Sequence, residues 1–536
     1  MHRVRFPVRA ECRVHSDRGW RSANDSRVLR KQRQPFSHVN LFVGQFLLER
    51  LDECPHRAYS RVSMSSDAFL SVSAITAAVR SKTFSASEFL QAHLLRIERL
   101  QPKLNAFVHI DGDAARTTAG QIDAAMQRGG ADATAARPLL GVPVTLKSCI
   151  DVAGWPCPAG SLLRKDYVAS CDAPLVTRLR AAGAILLGNT NTPEFLMAYE
   201  TDNRLQGKTS NPWALDHSSG GSSGGESAAI ASGCSAGGVG SDGGGSIRVP
   251  AHFCGICGLK PTPGRVPATG HFPPCGGAFS WIGVVGPMAR SVADLRALFT
   301  VMAGPDPGDP LSAPVPVANI FHDQLKNTRI GILESDALGN ATEETRQAVS
   351  RAAKLLESAG FHVEPVRLTG LDCALELWWY FFGAVIAHLL GHTVAGKEDL
   401  LSSQLREYLA VATSKAPLLL DGFLQACAAR DLLRESLIRE MAAAGTPILL
   451  SPVSSGPAFR HGAGNYQPGS GYLDTMRYSQ WLNLTGFPGA SVPVAFSSDG
   501  LPIGVQIIGC PYDDELVLAV AEALEAARGP WQNPQI

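Results

Sequence analysis

The sequence predicts an α/β fold: one large domain in which a mixed, twisted central β-sheet is covered by helices on both faces. Three observations predict it. Short apolar runs of strand length alternate with amphipathic helical segments along most of the 536 residues. The runs are apolar throughout rather than alternating, as in a sheet buried on both sides. Beyond Met64 there is no internal repeat, and no linker rich in Pro, Gly or Ser divides the chain.

Residues 1–63 stand apart. Arg3, Arg5, Arg9, Arg13, Arg18, Arg21, Arg27, Arg30 and Arg33 follow no helical or strand period. Arginine enrichment fits an organelle presequence, but Glu11, Asp17 and Asp25 do not. The preferred reading is a basic, disordered extension without chemistry, with Met64 as the alternative start and residues 64–536 as the domain. Within it, Ser85-x-x-Glu88 is a capping box with Phe84 and Phe89 as its hydrophobic staple. It opens a helix through Arg96, on which Phe89, Leu90, Leu94 and Leu95 recur at helical spacing. A strand at Ala106–Ile110 and an alanine-rich helix from Asp113 come next. Strands are then expected at Val142–Leu146, Ala184–Leu187, Ile330–Leu333, Ile448–Leu450, Ala490–Val494 and Ile503–Ile508. Helices are expected at Pro174–Ala182, Val292–Met302, Glu343–Ala359, Phe423–Ala444 and Glu515–Ala527, and Gly304–Pro316 reads as a surface crossing.

Composition excludes several classes. Lys plus Arg and Asp plus Glu number 48 each, so no electrostatic argument favours nucleic acid or an anionic membrane as the main partner. Twelve scattered cysteines in so long a chain read as reduced thiols, and hence a cytoplasmic protein, rather than a disulfide framework. Cys254-x-x-Cys257 lacks the second ligand pair that zinc would need, so no metal is expected. No apolar run approaches the ~20 residues of a membrane span.

The chemistry concentrates in two glycine-rich turns, Ser219–Gly225 and Gly243–Arg248. Glycine lets backbone amides approach a ligand, so a serine in such a turn can face a nest of N–H donors suited to an oxyanion. Lys147 closes the apolar strand. Burial there would lower its pKa and make it a base near neutral pH, unless the side chain simply passes the strand end into solvent. Two decoys overlap these turns. Gly220-x-Ser222-x-Gly224 matches a nucleophile elbow, but Asp216–Ser219 is a poor strand to precede one. Gly238-x-Gly240-x-x-Gly243 matches a dinucleotide fingerprint without the strand–turn–helix that would frame it. His217, beside the first turn, reads as a polar loop residue.

The constellation is more specific than its pieces. Lys147, Gly220–Gly225, Gly240–Asp242, Gly243–Pro250 and Gly255–Thr262 occur in an order and spacing that resembles the amidase signature family of serine hydrolases. Gly188–Phe195, Ser210–Trp213, Asn483–Pro488 and Gly500–Gln506 extend the resemblance over nearly everything after residue 64. It implies a Ser–cis-Ser–Lys triad: Ser246 as nucleophile, Ser222 as bridging serine after a cis peptide, and Lys147 as base. It further implies an oxyanion hole from the amides of Gly243, Gly244, Gly245 and Ser246. Ser223, Ser241, Asp242 and Arg248 would orient the network, with Asp242 and Arg248 as a pair. No cofactor is implied, and a homodimer is compatible with the family.

The implied substrate is a small-molecule amide, with esters and carbamates (urethanes) chemically open. The insert Leu371–His392 carries Trp378, Trp379, Tyr380, Phe381 and Phe382 in a helix that is apolar all round, either core or the wall of a cleft. Leu196, Tyr199, Phe279, Trp281, Trp378 and Phe382 are therefore expected to bind a hydrophobic acyl or aryl group. The wording of Phe253–Lys260 also resembles the fatty acid amide hydrolase branch. One alternative is the glutaminase subunit of a glutamyl-tRNA amidotransferase. It is disfavoured because Ala278–Pro287 carries apolar residues where that branch has an Asp–Gln pair. The other is a non-catalytic binding relative, against which the intact Lys147, Ser222 and Ser246 argue.

Overall fold

The computed structural model describes residues 67–129, 137–320, 325, 327–333, 341–414, 418–466 and 471–536. The basic segment 1–63 and Met64 lie outside them. Among the described residues, eleven strands join in one sheet: β1 (Phe107–Ile110), β2 (Pro143–Lys147), β3 (Ile185–Thr190), β4 (Gly237–Asp242), β5 (Cys257–Lys260), β6 (Val284–Ala289), β7 (Arg329–Leu333), β8 (His362–Val366), β9 (Ile448–Pro452), β10 (Gly489–Phe496) and β11 (Pro502–Gly509). Their spatial order is β1-β3-β2-β4-β6-β5-β10-β11-β9-β7-β8. β2 runs parallel to β3 and β4, and β7 runs parallel to β8 and β9, while the neighbours between these groups pair antiparallel. The sheet is mixed, as the sequence predicts.

Local signals hold up where they are strong. Ser85 caps the helix Ala86–Leu104 with both hydrogen bonds of the capping box present, and the Phe84 and Phe89 rings stand 5.5 Å apart. The helix runs two turns beyond Arg96 and stops at Asn105, whose left-handed φ of 50° ends it. The other expected strands and helices lie within a few residues of their predicted bounds.

Four strands were not expected from the sequence: β4, β5, β6 and β8. β4 (Gly-Gly-Val-Gly-Ser-Asp) has almost no β propensity. It is a strand because it pairs with β2 on one side and β6 on the other, and its glycines fit because those neighbours leave no room for side chains. A Cβ on Gly238 would sit 1.8 Å from Glu226 Oε1 and 2.6 Å from the Thr145 carbonyl oxygen. The apparent dinucleotide fingerprint is thus a strand selected for close packing. Two short buried helices, Gly224–Ala231 and Arg248–Cys254, follow the two serine turns and also lack a sequence signal.

The aromatic insert differs from expectation in one respect. Leu371–Val394 is a continuous 24-residue helical run that is long and apolar enough, by length and composition, to cross a membrane, although half of its most apolar window is buried inside the protein. Its middle, Tyr380–Val385, is π-helical. A π turn frees carbonyls from the helical ladder. Here the Tyr408 hydroxyl donates to those of Phe382 and Gly383.

Candidate active site

The sheet delivers the lysine. Lys147 is the last residue of β2 and has no exposed surface, so its ammonium cannot pass the strand end into water. Nζ donates instead to Ser222 Oγ at 2.6 Å and to Ser241 Oγ at 3.1 Å. Burial lowers its pKa to about 8, against the opposing pull of Cys149, Asp242 and Glu226. Lys260 is also fully buried, and burial followed by the Arg248 charge lowers it to about 7. Its Nζ donates to the Pro261 carbonyl, whereas that of Lys147 donates to a serine of the first glycine-rich turn.

Ser222 follows a cis peptide bond from Gly221 and is 1% exposed. Its carbonyl accepts from Thr192 Oγ1 at 2.7 Å, and the Thr192 carbonyl accepts from Asn203 Nδ2 at 2.8 Å. The second turn meets the first through Ser223, whose N–H donates to the Ser246 carbonyl at 3.2 Å. Ser222, Ser241, Asp242, Gly243 and Ser246 line one small cavity of about 20 Å³, together with Leu196, Met197, His271, Cys275, Phe279, Val284 and Phe382.

Asp242 and Arg248 shape the second turn. Both are fully buried and pair at 3.1 Å. Asp242 also accepts from the backbone N–H groups of Gly245 at 2.6 Å and Ile247 at 3.0 Å. Burial alone would raise this carboxyl. The Arg248 charge and the donated hydrogen bonds outweigh burial and hold it well below the usual carboxylate range. Arg248 continues outward to Asn483 Oδ1 at 2.7 Å and Gln506 Oε1 at 2.9 Å, anchoring the turn to β11 and to the helix Arg477–Thr485. Gly245 sits at φ +122°, a conformation that L side chains rarely adopt.

In this geometry four of the expected site residues have other partners. The Gly245 N–H faces Asp242, because the carboxylate fills the inside of the turn, so it is not a free oxyanion donor. Trp378 and Tyr199 are not among the residues that line the cavity. Trp378 has no exposed surface and donates Nε1 to the Gly243 carbonyl at 2.9 Å. Tyr199 donates its hydroxyl to the Gly244 carbonyl at 2.9 Å. A trans peptide points its C=O and N–H in opposite directions, so these two aromatics set where the amides of Gly244 and Gly245 aim. Trp281 packs on Phe381 and under the Arg430 guanidinium rather than in the cavity. Leu196, Phe279 and Phe382 do line it.

Sequence reasoning missed Thr192 and Glu226. Glu226 is fully buried beside β2 and β3, where Thr145 and Thr190 donate to its carboxylate, and burial raises its pKa to about 7. Glutamate in the segment Gly224–Ala231 carries no signal until the strand above it is known. His217 lies beside Asp216 in the loop, a polar loop residue as expected.

A weakly basic buried lysine bonded to a serine that itself lines one cavity with a second serine is the equipment of a hydrolase acting on acyl groups. The chain belongs to the Amidase family, whose model matches residues 88–518. With that family it is an enzyme that cleaves amide carbon–nitrogen bonds. It is 34% identical to a glutamyl-tRNA(Gln) amidotransferase component of Carboxydothermus hydrogenoformans, over 85% of this chain and 97% of the relative. Among solved structures it is similar to 6-aminohexanoate cyclic dimer hydrolase, at 29% identity and a TM-score of 0.75, over 88% of this chain and 99% of the other. It is also similar to a bacterial aryl acylamidase, at 27% identity and a TM-score of 0.74, over 86% and 97% of the two chains.

Proposed function

We propose that the protein hydrolyses small-molecule carboxylic amides bearing apolar acyl or aryl groups, through an acyl-enzyme on Ser246. Neutral Lys147 takes a proton from Ser222 while Ser222 takes one from Ser246, and the Ser246 oxygen attacks the amide carbon. The free amides of the second turn hold the oxyanion. Ser222 then protonates the departing nitrogen, and water releases the acid by the same relay. One observation carries the substrate class. The only charged side chain among the described residues lining the cavity is Asp242, which Arg248 already neutralises, and Leu196, Met197, Phe279, Val284 and Phe382 supply an apolar wall. Phe279 also belongs to a neighbouring apolar cavity of about 680 Å³, lined by Phe272, Ile386, Leu389 and Phe423 among others, which offers room for a larger group.

A series of anilides of increasing acyl length tests this. Burying each added methylene is worth at most ~0.8 kcal/mol, or about fourfold in kcat/KM. A rising series supports the reading, and a flat or falling one ends it. The base has its own signature. With Lys147 at about 8, kcat/KM rises about tenfold per pH unit below that value, where the lysine is mostly protonated, and levels off above it. A profile without that limb would remove Lys147 from the base role.

A second reading has its own support. The curated relative at 34% identity, matched over 97% of its length, is a component of an amidotransferase. A glutaminase component must bind the ammonium and carboxylate of glutamine, for which the described residues lining this cavity offer no free charged partner. Glutaminase activity together with stable co-purification of a second protein chain would put this reading in place of the first.

A further inference from the structure

We propose that His271 is a specificity-determining residue that accepts a hydrogen bond from the N–H of the scissile amide and so favours amides over esters. The inference rests on the amide-hydrolase reading above. His271 lines the same small cavity as Ser222 and Ser246 and is 7% exposed. Its Nδ1 lies 2.8 Å from the Pro273 carbonyl oxygen. A carbonyl only accepts, so Nδ1 carries a proton, and the tautomer that fits this contact presents its lone pair at Nε2. The Cys275 sulfur, 3.5 Å from Nδ1, faces the same N–H and does not change that assignment. Nε2 is buried and has no hydrogen-bond partner among the described residues.

An unpaired buried acceptor on a residue that lines the reaction cavity is a feature that a substrate donor would satisfy. The reaction supplies one. When the Ser246 oxygen bonds to the carbonyl carbon, the amide nitrogen becomes pyramidal, and its lone pair must face the Ser222 hydroxyl to take the proton as the C–N bond breaks. A nitrogen whose N–H is held by Nε2 cannot invert away from Ser222. An ester oxygen carries no hydrogen, gains nothing from His271, and leaves the acceptor unpaired.

The test is a cycle across protein and substrate, using an anilide and a phenyl ester of the same acyl group. In His271→Phe and His271→Leu, which lack the acceptor, the anilide-to-ester ratio of kcat/KM is expected to fall at least about tenfold. In His271→Gln, whose side-chain oxygen can accept, most of that ratio is expected to return. Labelling of each variant by a fluorophosphonate confirms a folded, reactive site, and the use of two acceptor-free variants guards against one of them misfolding. Equal losses on both substrates, or a Gln variant that behaves like Phe, would overturn the proposal. Wild-type protein that turns over neither substrate would instead sink the amide-hydrolase reading itself.

Discussion

Ser246→Ala is expected to abolish the covalent adduct that a fluorophosphonate forms with the wild-type protein, and to lower kcat by on the order of 10⁴- to 10⁶-fold. Intact-mass measurement reads the adduct directly. Lys147→Ala should keep Ser246 in place and slow the labelling, because Ser222 then has no base behind it at 2.6 Å. The two changes should be far from additive. Once the relay is broken at one member the others have little left to contribute, and the residual rate comes from binding and the backbone donors. A wild-type protein that folds well yet takes up no adduct would mean that Ser246 is not activated. A non-catalytic binding role would then become the working reading.

Asp242→Ala carries the largest expected effect on stability. It leaves the Arg248 guanidinium, with no exposed surface, without its buried counter-charge, a change that costs about 3–5 kcal/mol. It also strips the acceptor from the Gly245 and Ile247 amides inside the turn. The denaturant midpoint should therefore drop sharply, with little change in the slope of the transition. Asp242→Asn keeps some of the acceptors and should fall in between. The pH dependence has a definite sign. The folded carboxyl is held below its unfolded value, so its contribution is fully present above the usual aspartate range and is lost as pH falls toward the folded value. An Asp242→Ala protein as stable as wild type would show that the pair is not what holds the second turn.

Much of this was legible from the chain. The capping box at Ser85 and Glu88 is a local device, complete within four residues, and both of its hydrogen bonds form. Lys147 at the end of an apolar strand and the two serine turns are equally visible. What could not be read is whatever depends on a partner distant in sequence. β4 lacks β propensity and is a strand only because β2 and β6 pair with it, while Glu226, Thr145 and Met288 leave room for nothing larger than its glycines. Trp378 and Tyr199 have the composition of a substrate pocket, yet each donates its one polar hydrogen to a carbonyl of the second turn, 135 and 45 residues away. Composition cannot separate an aromatic that faces a ligand from one that faces a backbone oxygen.

By itself, then, the sequence determined the α/β class, the positions of the strongest helices and strands, and which lysine and serines are candidates for the site, because periodicity, caps and glycine turns act over a few residues. Tertiary structure alone decided that Lys147 is sealed from water rather than passing into it, that Lys260 is a second buried lysine bonded to a backbone carbonyl, and that Gly245 serves Asp242. It also left the buried His271 Nε2 without a hydrogen-bond partner among the described residues. These are matters of burial and of which groups converge, and desolvation is set by the whole packed environment rather than by the neighbours along the chain.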